Sequence, residues 1–336
     1  MEESISTPIW RNGRYGNPFP TFKGLPGFKL FWRWQMEKDH TNIPEQKELE
    51  QTLPVRSPNF GESPREGFRI TWIGHATVLV QMDGLVFLTD PIWSDRCSPF
   101  SRIGPKRYRP PPVQIEDLPP LDFVVISHNH YDHLDVPSIK RLHNAFGKTG
   151  LRWFVPMGLK ELLESLGCVN VQELTWGQSI SCEIPGSTRS AEIVCLPVQH
   201  WSCRGLFDRF KTLWSGWGVI GPTRRFFFTG DSGYCPEFAK IGRIYGPFDL
   251  AAIPIGCYEP TWFMSPQHMC PEESVKVHKD LRSKRSVGIH WGTYNMGSKE
   301  FYLEPREKLS ELLQLHGIAA ADFRALEHGA TWLIDE

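Results

Sequence analysis

The sequence contains no Cys-x-x-Cys pair, no apolar run approaching the roughly 18 residues of a membrane span, and almost no net charge. Each absence removes a class of protein. The eight cysteines, at positions 97, 168, 182, 195, 203, 235, 257 and 270, stand singly, so reduced thiols in an intracellular protein are expected. The start, Met1-Glu2-Glu3-Ser4, is acidic and has no apolar stretch, so no signal peptide is expected. The 37 basic and 38 acidic residues balance to a net charge of -1, which excludes the basic surface of a general nucleic-acid binder. What the chain has in plenty is aromatic surface. Thirteen Trp and 21 Phe in 336 residues imply apolar area beyond what a core alone needs.

One stretch concentrates chemistry. The apolar run Phe123-Val124-Val125-Ile126 reads as a buried strand, and Ser127-His128-Asn129-His130-Tyr131-Asp132-His133 follows it directly. Four coordinating side chains within six positions, at the end of a core strand, point to a metal. Imidazole nitrogen with carboxylate oxygen, and no cysteine, is the donor set of catalytic zinc, iron or manganese. The H-x-H-x-D-H spacing suits two ions, with His128 and His130 on one and Asp132 and His133 on the other. Three more apolar strands end in similar fashion: Ile193 to Val198 at His200, Phe226 to Phe228 at Asp231, and Val287 to Ile289 at His290. These seven positions fill two four-coordinate ions if Asp231 bridges. One ion then takes His128, His130, His200 and Asp231, and the other takes Asp132, His133, Asp231 and His290.

Along the chain, residues 1–66 are rich in Pro and Gly and form an N-terminal extension, and residues 67–336 form the catalytic domain. Within the extension, Phe28 to Glu37 reads as an amphipathic helix, with Lys29, Arg33 and Glu37 on one stripe beside a broad aromatic surface that either packs on the body of the domain or meets a membrane or partner. Three short strands follow from Arg69, the last ending at Asp90-Pro91, where a carboxylate can orient a metal-binding histidine. Helices are expected at 138–145, 159–166, 236–245, 272–281 and 306–315, interleaved with strands. Trp201 to Gly218 reads as an aromatic, basic loop. Strands alternating with helices indicate layered sheets covered by helices, an α/β protein.

The order of metal-binding residues, with Gly74-His75-Ala76-Thr77 and Thr89-Asp90-Pro91, resembles the metallo-β-lactamase superfamily. Within it the chain resembles the N-acyl-phosphatidylethanolamine-hydrolysing phospholipase D family from Asn12 to Gly329. The stretches that carry this resemblance include Asn17-Pro18-Phe19-Pro20-Thr21, Met36-Glu37-Lys38-Asp39-His40, Gly104-Pro105-Lys106-Arg107-Tyr108, Tyr258-Glu259-Pro260 and His290-Trp291-Gly292-Thr293. The chain departs from the family in Gly177 to Ser190 and in the loop after His200.

The resemblance implies an αββα sandwich, two zinc ions per chain at one edge of the sheets, and a membrane phospholipid whose ethanolamine nitrogen bears a third acyl chain. Two such ions lower the pKa of a shared water and offset charge that develops at phosphorus. Cleavage on the head-group side gives phosphatidic acid and an N-acylethanolamine. Asp132 and His268 are the expected catalytic residues, with His268 as general acid at a pKa near neutral. Tyr131 and Gln267 are expected to touch substrate. Phe28, Phe31, Trp32, Phe207 and Trp214 are expected to meet the membrane surface, helped by Lys29, Arg33, Arg204, Arg209 and Lys211. The expected setting is therefore peripheral, on the cytosolic face of a membrane, without a transmembrane helix, and it allows a homodimer. A soluble hydrolase of the same fold, such as a sugar-phosphate lactonase, and a non-catalytic lipid-binding scaffold are the competing readings.

Overall fold

Strand Phe123–Val125 has no polar residue because both of its faces are covered. Phe123 and Val125 point into the main core, whereas Val124 and the following Ile126 point the other way, into a second apolar cluster. This period-two division of an all-apolar run marks a strand sandwiched between two layers. The same split separates Ile70, Val78 and Val80 from Ile73 and Leu79 on neighbouring strands.

The computed structural model describes residues 4–37, 44–64, 67–100 and 102–334. The extreme N-terminal start, the Lys38-Asp39-His40 part of one family-like stretch, and the domain boundary at residue 66 lie outside the described residues. In chain order the elements begin with a hairpin, β1 (Ile9–Arg11) and β2 (Arg14–Gly16), and two helices, α1 (Phe28–Glu37) and α2 (Gln46–Thr52). The first half continues with β3 (Phe68–Gly74), β4 (Thr77–Met82), β5 (Leu85–Thr89), β6 (Phe123–Val125), α3 (Val136–Phe146), β7 (Arg152–Pro156), α4 (Lys160–Ser165) and β8 (Val171–Leu174). Next come β9 (Ser179–Glu183), β10 (Ser190–Leu196), β11 (Gly216–Ile220), β12 (Arg225–Phe228), α5 (Glu237–Ile244) and β13 (Leu250–Pro254). The chain closes with α6 (Thr261–Met264), α7 (Pro271–Asp280), β14 (Arg285–Ile289), α8 (Glu304–Leu315), β15 (Phe323–Arg324) and β16 (Thr331–Ile334).

Two seven-stranded sheets result, ordered β16-β3-β4-β5-β6-β7-β8 and β15-β14-β13-β12-β11-β10-β9. They pack face to face, with Phe87 against Phe226 across the interface at 5.5 Å between ring centroids. Helices α3 and α4 cover the first sheet through Ile139, Leu142 and Leu163. Helices α5, α7 and α8 bring Phe238, Ile241, Val275, Leu309 and Leu313 to the second sheet. The architecture is the αββα sandwich of the metallo-β-lactamase fold, a mixed sheet pair with helices outside. No helix among the described residues is long and apolar enough to cross a membrane.

Three features depart from the sequence reading. The N-terminal segment holds two short strands and the helix α2, whose Leu49 is buried together with the following Leu53. The last strand, β16, closes the first sheet by pairing antiparallel with β3. The segment from Trp201 to Gly218 is only partly a loop, because β11 begins at Gly216 and pairs with β10 and β12. Trp214 is therefore not a membrane contact. It is fully buried, and its indole N–H donates to the Val198 carbonyl at 2.9 Å. Trp217, also buried, donates to the Ile126 carbonyl at 2.8 Å. The physical reason is that each indole caps the free carbonyl of a strand that has just stopped.

Candidate metal centre

The strand ends converge on one edge of the sandwich. Each strand that delivers a site residue is clamped by the core up to its last residue, so the side chain after it has little freedom. Asp231 shows how tightly this is built. It follows Gly230, which has φ +63, and a Cβ there would come within 2.5 Å of the Ser127 Cβ. Only glycine lets this turn pack against the strand that carries His128. Among the described residues nine non-glycine positions have positive φ, and four of them, His75, Asp90, Cys257 and His290, lie in or beside the centre. Such clustering marks a site whose geometry is held by its surroundings.

All seven residues expected as ligands come together. Asp231 Oδ2 is 3.0 Å from His133 Nε2, 3.2 Å from His290 Nε2 and 3.9 Å from His200 Nε2. Asp132 Oδ2 is 3.4 Å from His133 Nε2 and 3.5 Å from His290 Nε2. On the other side, His130 Nδ1 lies 2.8 Å from His128 Nε2 and 3.3 Å from His200 Nε2. Among the sets of donor atoms close enough to share an ion, two fit the expected ligands: His128 with His130 and His200, and Asp132 with His133, His290 and His75. Asp231 stands between the two sets.

Outer hydrogen bonds choose which ring nitrogen faces inward. His133 donates Nδ1–H to Asp90 Oδ2 at 2.6 Å, and Asp90 also accepts from the Ser127 amide at 2.6 Å. His200 donates Nδ1–H to the Gln267 carbonyl at 2.9 Å. His128 Nδ1 meets the Ser127 hydroxyl at 2.9 Å. In each ring Nε2 is left for the centre, which is how metal-binding histidines are oriented.

The donor set fits metal ions on this structure's own evidence. His130 Nε2, His133 Nε2, Asp231 Oδ1, His268 Nδ1 and both ring nitrogens of His290 are buried without a well-directed hydrogen bond. Buried polar atoms left this way cost stability unless something else occupies them. Burial and neighbouring histidines hold His128 and His200 well below the usual range, and burial holds His130 at about 4, so their lone pairs are free. Burial opposes ionisation of Asp132 and Asp231, but the facing histidines, His133 first among them, together outweigh it and keep both carboxyls well below their usual range. Against the effect of burial, Asp231 and Asp132 in turn raise His133 well above the usual imidazole range and His290 to about 9, and a metal ion between these groups would take the place of those protons.

The sequence reading passed over His75 as a site residue. Its Nε2 lies 3.0 Å from Asp132 Oδ2, its amide is held by Thr293 Oγ1 at 2.7 Å, and its carbonyl accepts the His290 amide at 2.9 Å. The signal was available, since His75 also follows an apolar strand, β3. Ser127, which ties Asp90 to His128, carried no signal beyond its place before the motif.

His268 lies beside the centre. Its Nδ1 is 3.7 Å from Asp231 Oδ2, and its ring lies 5.2 Å from that of His290. The near-neutral pKa expected for it does not hold, because burial pushes His268 down to about 4, and any bound cation adds to that depression. At neutral pH it is therefore a neutral imidazole. Gln267 and His268 line a groove that opens from the centre, but the Gln267 side-chain oxygen accepts the Trp201 indole N–H at 2.5 Å. Tyr131 also lines the groove, with its hydroxyl on the Arg204 carbonyl at 2.9 Å. Arg204 is no free surface cation. It stacks on Tyr131 at 4.1 Å and donates to the carbonyls of Asn129 and Leu134, both at 2.9 Å, bracing the motif.

From the centre a groove of about 770 Å³ runs outward past Phe263 and Met264 to Leu25, Phe28, Phe31 and Trp34. Helix α1 forms its outer wall. Trp34 stacks on Phe263 at 4.7 Å, Glu37 pairs with Lys299 at 2.6 Å, and Arg33 lies over Trp262 at 4.5 Å. The rest of the helix faces outward, with Phe28 75 % and Trp32 51 % exposed. In the loop after His200, Leu206 and Phe207 are exposed as well.

Comparison with known proteins agrees with this geometry. The family model described as a beta-lactamase superfamily domain matches residues 86–291. N-acyl-phosphatidylethanolamine-hydrolyzing phospholipase D 1 of Caenorhabditis elegans is 48 % identical, over 98 % of this chain and 95 % of that protein. The mitochondrial N-acyl-phosphatidylethanolamine-hydrolyzing phospholipase D of Saccharomyces cerevisiae is 31 % identical, over 93 % of this chain and 74 % of its own length. Among solved structures, the metallo hydrolase Igni18 of Ignicoccus hospitalis superposes with a TM-score of 0.55 at 24 % identity, covering 79 % of this chain and 97 % of its own.

Proposed function

The chain belongs to the N-acyl-phosphatidylethanolamine-hydrolysing phospholipase D family of the metallo-β-lactamase superfamily, and from that premise we propose that it hydrolyses N-acyl-phosphatidylethanolamines. The products are phosphatidic acid and N-acylethanolamine, and the ions are two zinc ions per chain. The observation that carries this reading is the single groove that joins the histidine-aspartate centre to the exposed aromatic face of α1. A soluble sugar-phosphate substrate needs no such face, and a lipid with three acyl chains does.

The residues divide the work. His128, His130 and His200 would hold one ion, Asp132, His133 and His290 the other, and Asp231 both. When bound, the two ions supply a nucleophile at neutral pH and a positive field for the phosphate. Asp90 and Ser127 fix the rings, and His75 fixes Asp132. Neutral His268 donates a hydrogen bond to the phosphate or to the departing oxygen, which steadies charge there without transferring a full proton. Phe31, Trp34 and Phe263 line the path for acyl chains, and burial of apolar groups there excludes water from the centre. Phe28, Trp32 and Phe207 face the bilayer surface.

Incubating the purified chain with mixed phospholipids and identifying products by mass tests the reaction. Phosphatidic acid together with N-acylethanolamine is the expected pair, and release of any other head group overturns the assignment. Replacing both Phe31 and Trp32 with Ser is expected to weaken liposome binding while turnover of a short-chain soluble analogue survives. Equal loss on both substrates, with a lower melting temperature, would show these residues to be structural.

A further inference from the structure

Cys257 follows β13 and stands at φ +65, a conformation that costs a side-chain-bearing residue energy. A half-buried carboxylate holds it there. Glu300 accepts the amide N–H groups of Cys257 at 2.6 Å, Tyr258 at 3.2 Å and Glu259 at 3.1 Å. The thiol is thereby presented to the edge of the metal centre. A donor atom each of Cys257, His268 and His290 lie within 4.8 Å of one another. Both ring nitrogens of His290 and Nδ1 of His268 lack a well-directed hydrogen bond, and His290 is 2 % exposed. Donor atoms around a tetrahedral ion with bonds of roughly 2.0–2.3 Å sit about 3.3–3.8 Å apart, so small side-chain rotations close this triangle on one cation.

We propose that Cys257, His268 and His290 form a further, inhibitory cation site, selective for thiophilic divalent ions such as cadmium or zinc in excess. A sulfur donor favours these ions over magnesium or calcium. Binding forms a sulfur–metal bond, and the thiol proton leaves to solvent. His290 also faces Asp132 and Asp231, so occupation competes with the ion those carboxylates hold. It also takes His268 away from the substrate. The inference goes beyond the lipase reading and needs only that the centre holds metal.

The test titrates the zinc-loaded full-length chain with cadmium chloride, following thiolate-to-cadmium charge-transfer absorption in the ultraviolet together with hydrolysis. The expected result is one saturable band that grows as activity falls. C257S and C257G lose the band, and their half-inhibiting cadmium concentration rises roughly tenfold or more. Glycine suits the left-handed backbone, so C257G guards against a folding defect. Cys203 and Cys270, the partly exposed thiols among the described residues, are the controls, and C203A and C270A keep both effects. A band that persists in C257S and C257G, a band that disappears in C203A or C270A, or inhibition without any band overturns the site. Should the chain hydrolyse no phospholipid, the absorption titration still decides.

Discussion

At one end of the sandwich Asp83, Asp122 and Asp249 sit in turns or just before strands, and at the other Asp90, Asp132 and Asp231 sit where strands stop. The first group serves the backbone. Asp83, in the β4–β5 turn, accepts the amides of Thr223 and Arg224, both at 3.1 Å, and so ties the two sheets together. Asp122 accepts the Val86 amide at 2.7 Å, and Asp249 the Arg225 amide at 2.9 Å with Lys284 at 2.8 Å. Their needs are met within the fold. The second group faces histidines, and Asp231 keeps an oxygen with no hydrogen bond at all. Carboxylates are thus structural where amides, hydroxyls or a lysine satisfy them, and candidates for the metal centre where imidazoles face them.

The largest break in this contrast is expected from D231N. With its shared ligand gone, the centre should lose both ions, and hydrolysis should fall on the order of 10³-fold or more. Elemental analysis and circular dichroism check it: metal lost with the fold intact is the expected pair, and two retained ions with normal turnover would reject the bridge. H268A comes next, with kcat lowered by about 10²-fold and metal content unchanged. The deficit should shrink on an ester with a nitrophenol leaving group, because that group departs without help. An equal deficit on both esters would leave His268 only a role in positioning the phosphate.

D90N tests the second layer. Losing the charge behind His133 should weaken metal affinity by about 10–100-fold, read as a lower chelator concentration for half-inactivation. Unchanged chelator sensitivity would mean that Asp90 merely fills space. The smallest effect on activity is expected at the opposite end. D83A should leave kcat and metal content at their starting values while lowering stability by about 1–3 kcal/mol, seen as a reduced melting temperature. A loss of turnover without a loss of stability there would erase the distinction between the two ends.

Much of this was legible beforehand because strands buried on both faces announce themselves as unbroken apolar runs, and whatever polar residue follows must emerge at the sheet edge. That logic located His128, His200, Asp231 and His290, and it applies equally to His75 after β3. It failed for Trp214 and Trp217, since aromatic residues near basic ones look alike in a surface loop and in a core strand. Only tertiary partners distinguish them: Trp217 pairs with β10 and β12, and the Trp214 indole donates to the Val198 carbonyl. Helix α1 was legible as amphipathic, but which of its aromatic residues pack on the body was not. Trp34 finds Phe263 more than two hundred positions away, while Phe28 and Trp32 find nothing among the described residues that covers them.

The sequence by itself determined the kinds of donor atom, their number and the strand ends that carry them, because side-chain chemistry and period-two burial are local properties. Tertiary structure alone decided the rest. It set which nitrogen of each ring turns inward, through acceptors such as Asp90 and the Gln267 carbonyl that come from other strands and loops. It also placed Cys257 and His268 beside His290, and α1 beside the centre. Those juxtapositions depend on how two sheets stack, and a long-range stacking geometry leaves no periodic trace in the chain.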